Sequence, residues 1–294
     1  MIRDLPIKLG PEFPFAPNSF ESKDGTLHYV DEGEGPVVVM VHGNPTWSFL
    51  YRDIIQELSP YYRCIAMDHL GCGLSEKPDD TSLYTLDQHI ERTVKLIESL
   101  EIKSFVLLVH DWGGPIGLGA AARLKDKVKG ICITNTAAFP FKRIPKRISV
   151  CRIPFFGDFI VRGLNGFVRA AKTMTTVKPL REIEQYGYSF PYDSWENRVA
   201  INAFVKDIPM RKGHASYPVI QSIEKSLSHW DETPVALFWG MQDWCFHPVL
   251  IPEFKQRIPH AEVFQYETAG HYLFEDNLKR IATDLKAKLS QFFS

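Results

Sequence analysis

The stretch Phe105-Val106-Leu107-Leu108-Val109-His110-Asp111-Trp112-Gly113-Gly114 constrains this chain more than any other. A short apolar run stops at an aspartate, and a glycine-rich turn then opens a helical pattern from Pro115 to Leu124. Strand, sharp turn and helix in that order require a sheet to receive the strand, and they lift one side chain above the sheet's edge. A serine commonly occupies the lifted position; here it is a carboxylate. A carboxylate is a poor choice for attacking an amide or ester, but a reasonable one for displacing a leaving group from saturated carbon.

Further β-like runs at Leu27 to Val30, Val37 to Val41, Arg63 to Met67 and Gly130 to Thr134 alternate with helical patterns. In Ser82 to Leu100, for example, Leu86, Ile90, Val94 and Ile97 recur at helical spacing. Such alternation predicts an α/β fold, with a mostly parallel central sheet flanked by helices. From Phe139 to about His229 the strand signal disappears. It returns at Val235 to Gly240 and at Ala261 to Tyr266, and a closing helix is expected over Asn277 to Phe293. The expected organisation is a core of residues 1–138 and 230–294, interrupted by a helical lid of 139–229. Ligands in open α/β sheets bind at the C-terminal edge, where such a lid would sit.

Bulk properties narrow the class. The 294 residues suffice for one large domain with an insertion, and a net charge of -1 gives no field to gather nucleic acid. The five cysteines are odd in number and form no C-x-x-C pair, so they read as reduced thiols of a cytoplasmic protein. The N-terminus has no apolar signal core, and no run approaches the ~20 apolar residues of a membrane span. No H-E-x-x-H spacing and no glycine-rich phosphate loop occur; neither metal nor cofactor is expected.

Three polar stretches join Asp111, each just past a predicted strand: His42-Gly43-Asn44-Pro45, Gly240-Met241-Gln242-Asp243 and Gly270-His271. Alone, each has an ordinary explanation. Asp111 could cap a helix, Asp243 could start a turn, Asn44 before Pro45 is common turn chemistry, and a lone histidine is usually structural. Four of them at separate strand ends, in the order nucleophile, acid, histidine, make a catalytic triad the better reading.

On these residues the chain resembles the haloalkane dehalogenase group of α/β-hydrolases. The resemblance also covers Asp68-His69-Leu70-Gly71-Cys72-Gly73-Leu74-Ser75 and Asn135-Thr136-Ala137-Ala138-Phe139. It implies that Asp111 attacks an sp3 carbon to form an alkyl-enzyme ester, that His271 activates water as general base, and that Asp243 orients His271. The backbone N–H groups of Asn44 and Trp112 would form the oxyanion hole. The Asn44 amide and the Trp112 indole would hold the departing halide or other leaving group as neutral donors. Some members of the group take the triad acid from the strand before the lid. Ile133 to Phe139 contains no acid, so here Asp243 must serve, which resembles the third subgroup.

That subgroup also resembles the β-lactone decarboxylases of olefin biosynthesis. The likeness extends into the lid at Arg162-Gly163-Leu164-Asn165, Pro191-Tyr192-Asp193-Ser194-Trp195 and Asp207-Ile208-Pro209. Hydrolytic carbon–halogen cleavage of an apolar small molecule is the first expectation. Decarboxylation of a long-chain β-lactone to an alkene is the second. An epoxide hydrolase, with lid tyrosines among Tyr186, Tyr188 and Tyr192, and a non-catalytic binding protein stand behind them. The lid further sets Lys142, Arg143, Lys146, Arg147, Arg152, Arg162, Arg169, Lys172 and Lys178 against one acid, Asp158, with Phe141, Phe155, Phe156, Phe159 and Phe167 interleaved. The simpler reading is an amphipathic lid with a solvated basic face; the other is weak contact with a membrane or acidic partner.

Overall fold

The computed structural model describes residues 2–141 and 144–294. Lys142 and Arg143 of the basic segment lie outside the described residues. Eight strands, β1 (Asn18–Ser22), β2 (Gly25–Glu32), β3 (Val37–Val41), β4 (Arg63–Met67), β5 (Phe105–His110), β6 (Val128–Thr134), β7 (Val235–Gly240) and β8 (Glu262–Tyr266), form one sheet in the order β1-β2-β4-β3-β5-β6-β7-β8. From β4 to β8 every pairing is parallel; the β1–β2 and β2–β4 pairings are antiparallel. Every residue of β5 and β7 is buried, because helices cover both faces of a parallel sheet.

β1 was not among the expected strands. Its Asn-Ser-Phe-Glu-Ser sequence buries no residue fully, so it carries no apolar run; a hairpin to β2 places it at the sheet's edge. Helices α1 (Arg52–Leu58), α2 (Leu86–Ser99) and α3 (Gly113–Arg123) follow β3, β4 and β5. The expected spacing in α2 holds: Leu86, Ile90, Val94 and Ile97 are all buried. Among the described residues between β6 and β7 there is no strand. That segment carries α4 (Lys146–Cys151), α5 (Phe156–Asp158), α6 (Gly166–Met174), α7 (Glu182–Ser189), α8 (Val199–Lys206) and α9 (Tyr217–Ser226). After β7 come α10 (Leu250–Arg257) and α11 (Leu273–Phe292).

α11 begins earlier than its periodicity suggests, with a kink at Asn277. The extra turn carries Asp276, whose carboxylate accepts from the N–H groups of Val177 (3.0 Å), Lys178 (3.1 Å) and Gly270 (2.8 Å). One side chain therefore ties the segment before α7 to the loop that carries His271. Nearby, the fully buried Arg52 of α1 donates to Glu275 (2.9 Å) and reaches Glu184 of α7 (3.5 Å). A buried cation on this scale is tolerated only where carboxylates surround it.

Candidate active site

Parallel strands point their C-terminal ends at one edge, and the expected residues meet there. Asp111 follows β5 with φ of 53°, the left-handed conformation of a sharp turn into α3. The turn is tight enough that a Cβ on Gly43 would fall onto the Asp111 carboxylate, and one on Gly113 onto the Val41 carbonyl. Glycine is thus required at both positions by close approach. The Thr136 hydroxyl donates to the Asp111 backbone carbonyl and holds the turn from β6's end.

The two oxygens of Asp111 face different partners. Oδ1 accepts from the backbone N–H of Asn44 at 2.7 Å. Oδ2 lies 3.5 Å from His271 Nε2. On the far side of the ring, His271 Nδ1 is 2.8 Å from Asp243 Oδ2. The other Asp243 oxygen accepts from the N–H groups of Cys245 (2.6 Å) and Phe246 (3.0 Å). All three side chains are buried.

Asn135, where no acid was found, proves to hold Asp243 in place. Its Nδ2 donates to Asp243 Oδ2 at 2.8 Å, and its Oδ1 accepts from the Gly240 N–H at 2.8 Å. Sequence reasoning missed this role and that of Thr136. The only available signal was the quoted Asn135-Thr136 stretch itself, since a neutral side chain that braces a carboxylate looks like any strand-end polar residue. His110 donates through Nε2 to the His271 carbonyl (2.8 Å). Burial, reinforced by the nearby His271 charge, pushes its pKa down to about 3, so it is a neutral brace and not a second base.

The candidate leaving-group donors differ from one another. The Trp112 side chain lines the cavity, and among the described residues none accepts from its indole N–H. Its backbone N–H sits at the N-terminus of α3, among the donors a helix leaves unpaired. Asn44 is more engaged than expected: its Nδ2 donates to the carbonyl of Ile201 in α8 at 3.2 Å, leaving one amide hydrogen for a ligand.

The cavity has a volume of about 480 Å³, within the usual range for a small-molecule site. Asp111, Asn44, Trp112 and His271 lie in its wall, and the rest is largely apolar, with Leu86, Phe139, Ile148, Val205, Ile220 and Leu250 among the lining residues. No tyrosine lines it among the described residues. Tyr188 bonds Glu275, Tyr192 bonds the Thr46 carbonyl (3.2 Å), and Tyr186 stacks on Phe190. The tyrosine pair of an epoxide hydrolase therefore has no counterpart facing Asp111.

Burial disfavours the His271 cation, but Asp243 and Asp111 outweigh that and raise its pKa to about 10. Burial likewise disfavours the Asp243 anion, yet His271 and two backbone N–H groups hold its pKa below the usual carboxylate range. A raised folded-state pKa contributes stability that is complete below the unfolded value and is lost as pH rises through the folded one. The melting temperature is therefore expected to decline from about pH 6.5 and level off above about pH 10. His271→Gln should flatten that decline; a parallel decline in the variant would reject this origin.

The alpha/beta hydrolase fold family model matches residues 36–278, which places the chain in that fold class. At 38% identity the chain is similar to the cis-3-alkyl-4-alkyloxetan-2-one decarboxylase of Shewanella oneidensis, over 93% of this chain and 88% of that protein. At 32% it is similar to haloalkane dehalogenase 2 of Mycobacterium tuberculosis, over 92% and 93%. The crystal structure of haloalkane dehalogenase DbeA from Bradyrhizobium elkani USDA94 superposes with a TM-score of 0.87, at 24% identity over 95% of this chain and 98% of that one, and so shares the fold. The chain belongs to the haloalkane dehalogenase-like family of α/β-hydrolases, near the β-lactone decarboxylases.

Proposed function

We propose that Asp111 is a nucleophile that displaces a leaving group from a saturated carbon of an apolar substrate. The observation that carries this is the division of labour on its carboxylate. Oδ1 is occupied by the Asn44 N–H, which leaves Oδ2, beside His271 and the cavity, as the attacking atom. Once Oδ2 is alkylated, Oδ1 becomes an ester carbonyl already seated on an oxyanion donor, an interaction worth about 3 kcal/mol to a tetrahedral intermediate. Residues 139–229 act as a lid over this edge, and residues 1–138 and 230–294 as the core.

The leaving group we favour is the carboxylate of a strained β-lactone. The 38% identity to a protein named as an oxetan-2-one decarboxylase, against 32% to one named a haloalkane dehalogenase, puts the lactone ahead of the halide. Asp111 Oδ2 would form a C–O bond at the sp3 ring carbon while the ring C–O bond breaks onto the carboxylate. The C–C bond to that carboxylate would then break to release carbon dioxide. Its electron pair becomes the C=C bond, and the alkene departs as Asp111 recovers its charge. Trp112 and Asn44 would steady the freed anion as neutral donors.

Carbon–halogen hydrolysis is the second reading, and the complete His271–Asp243 pair favours it, since hydrolysis of the alkyl ester needs an activated water. His271 suits that task in sequence. Its raised pKa depends partly on the Asp111 charge, so alkylation of Asp111 would lower it and favour the neutral base. The deciding experiment supplies a terminal bromoalkane and, separately, a long-chain cis-β-lactone, and measures bromide, carbon dioxide and alkene. Alkene and carbon dioxide in equal amounts from the lactone, at a rate at least about tenfold above bromide release, are expected. Bromide release with an untouched lactone would overturn that order.

A further inference from the structure

Residues 141–178 contain nine lysines and arginines and a single acid, Asp158, in a chain whose net charge is -1. The acid is already taken by Lys206 and by Asn202 (2.6 Å), and Arg162 pairs with Asp79 at 3.1 Å. Among the described residues no carboxylate pairs with Lys146, Arg147, Arg169 or Lys172. Arg147 instead lies over the Trp244 ring. Uncompensated like charges repel one another, and an arrangement that keeps them together favours an anionic counterpart.

The same segment exposes apolar side chains. Val150, Ile153, Phe155, Phe156, Phe159 and Leu164 all face solvent, Phe155 at 88% exposure and with φ of 61°. Cys151, Val161 and Val168 meanwhile face inward, in one cluster with Ile201 and Val205. The segment is therefore apolar on both faces, which water alone does not favour. Phe141 and Val150 are exposed and also line the cavity that Asp111 lines, so the exposed apolar surface of this segment includes part of that cavity's wall.

We propose that this face of residues 144–178 docks on an anionic lipid surface, with Phe155 and Phe156 entering the acyl boundary and the unpaired cations against the headgroups. A lipid surface supplies apolar depth and negative charge as adjacent layers, the two properties this segment presents side by side. The remainder of the chain carries the excess acid, so an anionic surface attracts this segment and not the rest of the chain. No described helix is long and apolar enough to cross a membrane, so the attachment is peripheral and reversible. It places the cavity mouth where an apolar substrate concentrates; that benefit rests on the function proposed above, but the binding itself does not.

The test is flotation of the full chain with vesicles of roughly three parts phosphatidylcholine to one part phosphatidylglycerol, and with phosphatidylcholine alone. Binding to the first and not the second is expected. The pair Phe155→Ser and Phe156→Ser, and separately the set Lys146→Gln, Arg169→Gln and Lys172→Gln, should each weaken it by about tenfold or more. Melting temperature and turnover of a short, water-dispersed substrate should stay unchanged in both variants. Absence of flotation with anionic vesicles, equal binding to neutral ones, or binding indifferent to both variants would overturn the proposal. So would capture of an acidic protein by a chain that ignores vesicles. Flotation needs no turnover, so its failure is distinguishable from failure of the assigned chemistry.

Discussion

Asp111→Ala is expected to reduce turnover of any substrate the wild type converts by about 10⁴-fold or more, to the limit of detection. The effect is large because no other side chain can replace the bond-forming atom. Among the described residues in the cavity wall there is no second carboxylate, and burial pushes the nearby Cys245 thiol's pKa up, away from the thiolate form. Alanine also places a Cβ without a polar partner at a φ of 53°, which costs folding stability as well. Asp111→Asn separates the two effects. Asparagine tolerates the left-handed region, keeps the shape that Asn44's N–H recognises, and has no anionic oxygen to attack with. The expected result is a normal melting profile with no turnover. Full activity in either variant would end the displacement reading for both substrates.

His271→Ala should divide the two routes by what accumulates. If the substrate is a bromoalkane, the first displacement still proceeds and the ester then waits for a base. One bromide is released per chain, turnover afterwards falls by about 10³-fold or more, and intact-protein mass increases by the alkyl group on Asp111. If the substrate is a β-lactone, the ring-opened carboxylate fragments without water. Alkene should continue to form within about tenfold of the wild-type rate, that loss reflecting the missing cation beside Oδ2. A stable lactone adduct on Asp111 would count against fragmentation without the base, and continued multiple bromide turnovers would count against His271 as the base.

Much of this site could be read from residue order because parallel strands deliver their C-terminal ends to one edge. Once Phe105–Val109 and Val235–Trp239 are recognised as parallel buried strands, Asp111 and Asp243 reach the same edge, and the loop before Gly270-His271 brings His271 between them. What escaped were contacts that depend on distance across the fold and leave no periodic trace. Asn135 bracing Asp243 is one; Asp276 tying Val177 and Lys178 to Gly270 is another. β1 escaped for a different reason: an edge strand needs only backbone pairing on one side, so its sequence need not be apolar. The tyrosines at 186, 188 and 192 decided nothing in the sequence, because three in seven residues say nothing about which way each ring points. Packing turned Tyr188 toward Glu275 and Tyr192 toward Thr46.

The hydrogen bond from the Asn44 amide to the Ile201 carbonyl spans the boundary between sheet and inserted helices. On the proposed role of Asn44, the chemistry and the choice of substrate are not separable modules in this protein. An exchange of residues 139–229 for a relative's segment, made to change the shape of the pocket, would also re-aim the Asn44 amide, the donor proposed to meet the departing anion. A designer would have to carry over a backbone acceptor at the position of Ile201, or accept a new orientation of Asn44 along with the new specificity.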